Sequence, residues 1–422
     1  MKILVVGGGG REHAICWKAA KSPLVDKIYC APGNAGISQV AECVNIGVME
    51  FDKLTDFAVK EGIDFTIIGP DDPLVAGIVD AFKAKGLKVF GPDKCAAIIE
   101  GSKSFSKDLM KKYGIPTAGY EVVTSAKEAY ENIGRFGYPV VLKADGLALG
   151  KGVLICNNEE EAKAGVREIM EDKKFGSAGN SMVIEEFLTG PEVSVLCFSD
   201  GKTIKPMVSA QDHKRAKDNN EGLNTGGMGT FSPTPFYTDE IADYCMKNIY
   251  KPTIAAMEAE GRKFVGILFV GLMLTEKGPK VLEYNARFGD PATQVVLPRM
   301  KSDMIEVMLS CVDGTLDKTD LEFNDNAALC VVMASNGYPE HYEKGFPVTV
   351  DAGFDNENTI LFHAGTKFDG DKVVTNGGRV LGAVALGRDL REARDKAYAA
   401  AELVHFDNKY NRTDLCRSIL GD

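Results

Sequence analysis

Four short apolar segments occur in the first hundred residues; three of them end in glycine or proline, and helical patterns separate them. These strand-like segments are Ile3–Val6, Ile28–Cys30, Phe65–Ile68 and Val89–Phe90. The repeated order of strand, loop and helix predicts an open parallel α/β sheet. Ligands of such sheets bind beyond the carboxyl ends of the strands. We therefore expect residues 1–102 to form an N-terminal α/β domain that binds a substrate.

The chain of 422 residues is too long for one core, so three or four domains are expected. Residues 103–191 alternate strands and helices and include a small α+β module at about 120–190. Long antiparallel strands with two helices are expected over 192–324, and a small α+β domain over 325–422. The predicted fold class is α/β.

Charge and composition argue against several classes of protein. The formal net charge is −11, which disfavours binding to nucleic acid or anionic membranes. No apolar run approaches the ~20 residues that cross a bilayer, and the N-terminus has no signal-peptide cleavage pattern. The ten cysteines are never spaced as C-x-x-C, so neither a zinc site nor a disulfide framework is indicated. These features predict a cytoplasmic protein with reduced thiols.

Four consecutive glycines, Gly7–Gly10, lie between the first predicted strand and helix. They do not form a dinucleotide-binding fingerprint, because Glu12 stands where the third small residue belongs. Ala31–Asn34 also replaces the acidic residue expected after the second strand. Backbone N–H groups at a helix N-terminus favour an anion, so we predict that Gly9 and Gly10 help to anchor a phosphate. A tight turn without a ligand is the alternative.

A glycine-rich loop with two lysines lies between two predicted strands. Its members are Lys143, Gly146, Gly150, Lys151 and Gly152. Glycines let the backbone close over phosphates, and lysines supply charge to the oxygens. The loop is not a Walker A motif, since Gly152 stands where that motif needs Ser or Thr. A plain β-hairpin is the alternative.

Two acidic residues lie on either side of a later turn. Glu185 is in an apolar strand, and Glu192 begins the next strand. Their carboxylates can accept hydrogen bonds from an adenine amino group and a ribose diol, and the backbone at 186–188 can contact the adenine edge. A scaffold without a ligand is the alternative.

A carboxylate, an amide and a guanidinium share one face of another predicted strand. They belong to Glu283, Asn285 and Arg287, whose spacing of two turns all three side chains to the same side. Oxygens of Glu and Asn suit Mg²⁺ or Mn²⁺, and Arg287 would stabilise a transferring phosphoryl group. The preceding strand, 268–273, contains no carboxylate, so only Glu283 and Asn285 are expected as protein ligands. A solvated edge strand is the alternative.

Together these motifs resemble the ATP-grasp superfamily, in which two α+β modules close on ATP. The resemblance implies that 103–191 and 192–324 are the two ATP-grasp parts, the second with the metal site, and that 146–152 is a mobile lid. It implies that ATP is bound by Lys103, Lys143, Gly150, Lys151, Gly152, Glu185, Glu186, Leu188 and Glu192. Among these, Glu185 would accept from adenine, the Leu188 backbone would donate to the ring, and Glu192 would bind the ribose.

Within that superfamily, the chain resembles the phosphoribosylamine–glycine ligase family. Residues 287–294, RFGDPATQ, are similar to the family signature R-F-G-D-P-E-x-Q. Ala292 stands in place of the family Glu, for which we expect changed local packing and retained activity. Further similar segments are Val5–Ala14, Ala31–Asn34, Ile68–Leu74, Gln211–Ala216, Asn224–Gly229, His363–Thr366 and Asn376–Val380.

The implied reaction joins glycine to 5-phosphoribosylamine in purine biosynthesis, with conversion of ATP to ADP and phosphate through glycyl phosphate. Arg287 and Lys143 are the implied catalytic residues, and Asp212 would hold the glycine ammonium. The implied substrate-binding residues are Gly9, Gly10, Asn34, Asp71, Asp212, Lys214, Gly226, Gly227, Met228, Arg287 and Asp290. His13 and His213 can equally be structural hydrogen-bonding residues, and no compelling general base is seen.

Three other functions remain open from the sequence. Another purine-pathway ATP-grasp enzyme would use a different carboxylate, which the 287–294 stretch disfavours. A nicotinamide-dependent dehydrogenase is disfavoured by the broken glycine fingerprint. A nucleotide sensor without catalysis would not need the metal and phosphate residues.

Overall fold

The computed structural model of the chain describes residues 1–147, 152–354 and 358–421. The predicted lid therefore lies partly outside the described residues, and so do two of its predicted ATP-binding members, Gly150 and Lys151. Gly146 and Gly152, at the two ends of the loop, are within them.

The N-terminal region is an open sheet of five parallel strands in the order β3-β2-β1-β4-β5. Its strands are β1 (Lys2–Gly7), β2 (Lys27–Pro32), β3 (Glu42–Cys43), β4 (Phe65–Ile68) and β5 (Val89–Phe90). Its helices are α1 (Gly10–Ala19), α2 (Phe51–Glu61), α3 (Asp71–Ala76), α4 (Ile78–Ala84) and α5 (Lys94–Gly101). The predicted parallel sheet is confirmed, and the loops after β1, β2 and β4 lie along one edge.

A four-stranded antiparallel sheet forms the small module predicted at about 120–190. Helix α6 (Lys103–Lys112) leads into it, capped by the Ser102 side chain, which accepts a hydrogen bond from the Phe105 backbone. The elements of the module are β6 (Tyr120–Val123), α7 (Ala126–Asn132), β7 (Val140–Ala144), β8 (Val153–Cys156), α8 (Glu159–Val166) and β9 (Met182–Glu186). Their order in the sheet is β6-β9-β7-β8, so β9 lies in its interior.

A second antiparallel sheet, in the order β11-β10-β16-β17, is built from the middle of the chain. This region contains β10 (Glu192–Asp200), β11 (Ile204–Pro206), β12 (Gln211–Asp212), β13 (Arg215–Lys217), β14 (Glu221–Asn224), β15 (Gly229–Ser232), α9 (Asp239–Cys245), α10 (Lys251–Ala259), β16 (Val265–Thr275), β17 (Gly278–Asn285), α11 (Ala292–Val296) and α12 (Met304–Asp313). The short helix α11 was not predicted.

The last region supplies most of a further sheet, whose main path is β12-β15-β18-β23-β20. Its elements are β18 (Ala327–Ser335), β19 (Thr349–Val350), β20 (Thr359–His363), β21 (Thr366–Asp369), β22 (Lys372–Thr375), β23 (Arg379–Gly387), α13 (Leu390–Glu402), β24 (Val404–His405), β25 (Lys409–Tyr410) and α14 (Arg417–Leu420). Because β12 and β15 pair into this sheet, it extends across the predicted boundary at residue 324. That boundary stays a prediction.

Buried apolar side chains join the regions. One core cluster packs Val6 and Phe82 of the N-terminal sheet region together with Val270 and Tyr284 of the middle sheet. The edge of the N-terminal sheet that bears its loops faces the end of β17, since Arg11 contacts Phe288 and Asp71 contacts Arg287. Among the residues with described structure, no helix is both long and apolar enough to span a membrane.

Candidate active site

The three side chains predicted to share a face occur at the end of β17. Glu283 is half-buried and lies near several cationic side chains. Burial acts to raise its pKa, but Lys214, Lys143 and Lys103 outweigh that effect and keep the pKa below the usual value. Glu283 is thus held as a carboxylate. Asn285 Oδ1 accepts a hydrogen bond from Arg287 Nη2 at 3.2 Å. A carboxylate, an amide oxygen and four cationic groups therefore meet at one place.

Two buried lysines share the carboxylate of Glu185. Lys143 Nζ lies 3.0 Å from Glu185 Oε1, and Lys107 Nζ lies 2.9 Å from Oε2. Lys107 also donates to Thr117 Oγ1 at 2.8 Å, and burial lowers its pKa to about 8 although Glu185 opposes the shift. Lys107 was not among the predicted site residues. Its spacing of four from Lys103, which puts both on one face of α6, is a signal in the sequence that would have found it.

Lys103 is linked to the start of the glycine-rich loop. Its Nζ donates to the Gly146 carbonyl at 2.8 Å. Beside it, Asp145 accepts from the Ser104 backbone N–H at 3.0 Å and from the Ser181 hydroxyl at 2.9 Å. Burial acts to raise the pKa of Asp145, but these hydrogen bonds outweigh it and lower the pKa. Asp145 thus connects the module at 120–190 to the N-terminus of α6.

The remaining predicted nucleotide residues lie between this module and the middle sheet. Glu192 Oε2 is 2.6 Å from Lys214 Nζ, and Glu192 is the largest cause that raises the pKa of Lys214. Glu186 accepts from the Gly119 backbone N–H at 3.1 Å. Leu188 is buried in a small apolar cluster with Ala118 and Met273, separate from the large cores.

Asp212 is half-buried and ends β12. Burial raises the pKa of its carboxyl, although Lys214 and Arg379 oppose the shift. Its Oδ1 atom is buried and, within the described part of the chain, has no hydrogen-bond partner. An orphaned carboxylate oxygen of this kind can accept hydrogen bonds from a cationic ligand.

The backbone N–H groups at 226–228 already have acceptors in the protein. Gly226 donates to the Tyr338 hydroxyl at 3.1 Å, Gly227 to Thr225 Oγ1 at 3.0 Å, and Met228 to the His213 carbonyl at 2.8 Å. Because these three N–H groups are already hydrogen-bonded, none of them is free in this conformation to donate to a phosphosugar as predicted.

Asn34 and the glycines before α1 are similarly engaged. The Asn34 amide donates to the Gly8 and His363 carbonyls, both at 2.9 Å, and its oxygen accepts from two backbone N–H groups. The Gly9 N–H donates to Glu12 Oε2 at 2.7 Å. A Cβ atom on Gly10 would lie 2.5 Å from Gln294 Nε2, which shows how closely that residue is packed.

Three arginines face the carboxylate of Asp290. Burial acts to raise the pKa of Asp290, but Arg379, Arg11 and Arg287 together lower it. Arg379 Nη2 lies 3.5 Å from Asp290 Oδ2. Asp71 is also in this group, with its Oδ2 atom 3.8 Å from Arg287 Nη2.

Arg11 and Arg379 were not predicted as site residues. Arg379 also donates to the Gly226 carbonyl at 2.9 Å, and Arg11 donates to the Phe288 carbonyl at 3.2 Å. Both arginines lie in segments that carry the family resemblance, and those segments were the available signal.

Burial keeps the two histidines near the predicted site neutral, and each accepts a backbone hydrogen bond. His13 Nδ1 accepts from the His363 backbone N–H at 2.8 Å, and burial, reinforced by His363, lowers its pKa to about 3. His213 Nε2 accepts from the Cys416 backbone N–H at 3.2 Å, and burial lowers its pKa to about 4. Neither imidazole is positioned to exchange protons near neutral pH.

Ala292 begins α11 and is fully buried. A Cβ placed on Gly289 would lie 3.1 Å from the Ala292 Cβ, so these two residues pack closely. Ala292 packs in the apolar cluster that contains Phe269 and Phe288. The effect of this departure on activity stays a prediction.

Three family profiles match consecutive parts of the chain. The phosphoribosylglycinamide synthetase N domain matches residues 1–100, the ATP-grasp (A) domain of the same family matches 101–293, and its C domain matches 328–418. A phosphoribosylamine–glycine ligase of Caldanaerobacter subterraneus is 49% identical over 416 residues, which make up 98% of this chain and 99% of that protein.

Solved structures agree with these matches. The crystal structure of phosphoribosylamine–glycine ligase from Thermotoga maritima has a TM-score of 0.86 at 35% identity, and the match covers 98% of this chain and 100% of that one. The biotin carboxylase domain of Hydrogenobacter thermophilus 2-oxoglutarate carboxylase, solved in complex with MgADP, has a TM-score of 0.74 at 17% identity and covers 97% of this chain and 91% of that one. The second likeness is one of fold alone.

Proposed function

The chain belongs to the phosphoribosylglycinamide synthetase family, and from that premise we propose how its residues carry out an ATP-dependent ligation of glycine to 5-phosphoribosylamine. The products are glycinamide ribonucleotide, ADP and phosphate, in purine biosynthesis. One observation supports this most directly: Glu283 is held ionised among Lys103, Lys143 and Lys214, next to the guanidinium of Arg287. A site of this charge suits a substrate group that carries several phosphates. A cytoplasmic location stays a prediction.

The chemistry needs positioning more than proton transfer. The carboxylate of glycine is ionised at neutral pH, so it can attack the γ-phosphorus without a base. The resulting glycyl phosphate has a good leaving group, which the ribosylamine nitrogen then displaces. The main tasks of the protein are to align the reactants and to neutralise charge.

We assign the nucleotide to the space between the module at 120–190 and the middle sheet. Lys103 and Lys143 would contact the phosphates, with Gly150, Lys151 and Gly152 closing over them. The apolar cluster around Leu188 would pack on the adenine ring, and the Glu186–Leu188 backbone would contact its edge.

The roles of Glu185 and Glu192 are refined by their contacts. Glu185 is held between Lys107 and Lys143, so an adenine amino group would have to share an already paired carboxylate. Glu192 pairs with Lys214, and a ribose hydroxyl would compete for the same carboxylate. We therefore propose that Glu185 also fixes the phosphate lysine Lys143.

Glu283 and Asn285 fit a divalent metal ion. A hard oxygen donor set suits Mg²⁺ or Mn²⁺, and the lowered pKa of Glu283 keeps its carboxylate available as a ligand. When bound, such an ion would neutralise charge on the phosphates. We propose that the ion is Mg²⁺ or Mn²⁺.

Glycine would lie between Asp212 and Arg287. The buried, unpartnered Oδ1 of Asp212 suits its ammonium group, and Arg287 suits its carboxylate. Arg287 and Lys143 are thus the proposed catalytic residues.

The phosphosugar would lie at the edge of the N-terminal sheet, near Asp71 and Asp290. We propose that Arg11 and Arg379 supply cationic contacts there, because they face Asp290. Asn34, Gly9, Gly10 and the backbone at 226–228 would then shape this part of the site, since their polar groups are largely engaged with the protein.

The overall proposal is tested by measuring ADP release from ATP in the presence of Mg²⁺. We expect release only when glycine and 5-phosphoribosylamine are present together, because no evident water-activating base lies beside Glu283 and Asn285 among the residues described. Fast ATP hydrolysis without either substrate contradicts the mechanism. Replacing glycine by bicarbonate or formate tests the nearest alternative, and ADP release with either one would identify a different ligase.

A further inference from the structure

Glu100 is a buried carboxylate that none of the roles above includes. It occupies the last turn of α5, with its side chain 5% exposed. It points across the boundary between the N-terminal region and the middle sheet, toward the residues that follow β17. Lys103 lies three residues farther along, at the start of α6.

The carboxylate makes two contacts with consecutive residues beyond Asn285. Its Oε2 atom accepts a hydrogen bond from the Ala286 backbone N–H at 2.7 Å. Its Oε1 atom lies 3.2 Å from Arg287 Nη2. One side chain therefore holds both the backbone that carries Arg287 and the guanidinium itself.

The other contacts of Arg287 determine which of its N–H groups remain free to bind a ligand. Besides Glu100, Nη2 lies 3.2 Å from Asn285 Oδ1 and, at the longer distance of 3.8 Å, faces Asp71 Oδ2. Nη1 donates to the Phe288 carbonyl at 3.4 Å. Its Nε is buried and, across the ranges described, has no hydrogen-bond partner. The protein thus fixes the Nη side of the guanidinium, while the Nε–H remains as an unused donor.

We propose that Glu100 is a positioning residue that sets the orientation of Arg287 and keeps it in register with the phosphate lysine Lys103. This rests on the proposed function, since it requires Arg287 to act on the transferring group. Through Glu100, the α5–α6 segment that carries Lys103 is joined to the strand end that carries Asn285 and Arg287. The nucleotide and metal parts of the site would be aligned by this one carboxylate.

Stability alone does not account for a carboxylate in this place. Glu100 lies at the C-terminal end of α5, where the helix dipole disfavours negative charge. Burial raises its pKa to about 7, even though Arg287 opposes the shift, and nearby Asp71 raises it further. A side chain held at such a cost is consistent with a functional role.

The test compares Glu100→Gln and Glu100→Asp with the parent protein by steady-state kinetics with ATP, glycine and 5-phosphoribosylamine. Gln keeps one oxygen acceptor for Ala286 and puts an NH₂ group, which cannot accept a hydrogen bond, where the second oxygen contacts Arg287. We expect kcat to fall on the order of tenfold to a hundredfold, as for displacement of a catalytic group by a fraction of an ångström to 1 Å. The KM for ATP should stay within about twofold, and Glu100→Asp should recover part of kcat.

A double-mutant cycle with Arg287→Lys separates positioning from a general structural effect. If Glu100 acts through Arg287, Glu100→Gln should have little further effect on kcat in the Arg287→Lys background. Glu121→Gln, which removes an exposed partner of Arg135, is the matched control and should leave kcat unchanged.

Unchanged kcat in Glu100→Gln, or effects of the two substitutions that simply multiply, would overturn the proposal. If Glu100→Gln does not fold, Glu100→Asp is used for the test instead. The proposal is supported if Glu100→Asp lowers kcat in the parent protein but causes no further fall in the Arg287→Lys variant. Any other result counts against the proposal. Failure of the proposed function itself is distinguishable, because the unaltered protein would then release no ADP with glycine and 5-phosphoribosylamine.

Discussion

Arg287 is the residue on which the proposed chemistry depends most. Lysine at this position keeps the charge but loses the planar fork that can hold two oxygens at once. Replacing Arg287 by Lys should lower kcat by roughly 10²–10³, about 3–4 kcal/mol, with little change in ATP affinity. Single-turnover measurement of ADP formation would check this.

Glu283 provides the contrast. Glu283→Ala removes a proposed metal ligand, so raising the Mg²⁺ concentration should partly restore its activity. No such rescue is expected for Arg287→Lys. If Arg287→Lys turns over glycine at the parent rate, Arg287 leaves the list of catalytic residues.

Glu100 also makes a prediction about stability and pH. Its pKa rises from 4.5 to about 7 on folding because of burial, so the folded state binds its proton more tightly than the unfolded state. Stability from this group is therefore present below pH 4.5 and is lost as the pH rises through 7. The shift corresponds to roughly 3 kcal/mol. The charged groups that face it include Arg287, Asp71, Arg11 and Lys103.

Glutamine does not titrate, so in Glu100→Gln the loss of folding stability between pH 4.5 and 7 that comes from this carboxyl is absent. Denaturant unfolding at several pH values from 5 to 8 should show the variant gaining stability relative to the parent as the pH rises. Parallel stability curves for the two proteins would show that the carboxyl is not perturbed as described.

At the scale of elements, Asp145 connects the module at 120–190 to α6. It accepts hydrogen bonds from Ser104, Ser181 and the Ser102 hydroxyl, the last at 3.2 Å. Asp145→Asn removes the charge behind these bonds, which are typically worth about 1.5–3 kcal/mol each when charged. We expect ATP to bind roughly tenfold more weakly, a change of about 1.4 kcal/mol, because the module no longer docks firmly beside Lys103.

Calorimetric titration with ATP and hydrogen exchange at the N-terminus of α6 measure these effects. Asp172→Asn, an exposed aspartate of the same module, is the control and should bind ATP as the parent does. Unchanged exchange at Ser104 in Asp145→Asn would argue against the proposed connection.

Several elements followed from local sequence patterns alone. Helix α6 begins at Lys103 because the Ser102 hydroxyl caps its first turn, and serine at that place is a local signal for a helix start. Strand β7 is a short, mostly apolar run in which every residue is buried, as such runs favour. The helix Ala292–Val296 was missed because all five of its residues are buried, which leaves no amphipathic pattern to detect.

At the scale of the whole molecule, Asn34 joins the N-terminal sheet to the C-terminal region. Asn34→Ala removes bonds to the Gly8 and His363 carbonyls and leaves them buried. A loss of about 1–3 kcal/mol in the free energy of unfolding is expected for each unsatisfied buried group. The KM for 5-phosphoribosylamine should stay close to that of the parent protein, although the free energy of unfolding falls.

Denaturant unfolding and steady-state kinetics together check this prediction. Asn132→Ala, which removes an exposed hydrogen bond within α7, is the control and should have little effect on either. A raised KM at unchanged stability would instead restore the role predicted from the sequence, direct contact with the phosphosugar.

The sequence by itself determined the parallel N-terminal sheet and the placement of Glu283 and Asn285 two residues apart on β17, with Arg287 just beyond the end of that strand. These depend on periodicity and spacing within a few residues, which report local backbone geometry directly. The family and its reaction were likewise predicted from short contiguous motifs, and both are supported by the matched relatives.

Only the tertiary structure decided which charged groups meet. Glu100 contacts a backbone group 186 residues away, and Arg379 reaches the Asp290 carbonyl 89 residues away. Likewise, Asn34 is occupied by a partner 329 residues away in the chain. Ion pairs and buried hydrogen bonds of this kind depend on how separate sheets pack. That packing cannot be predicted from a local pattern of side chains.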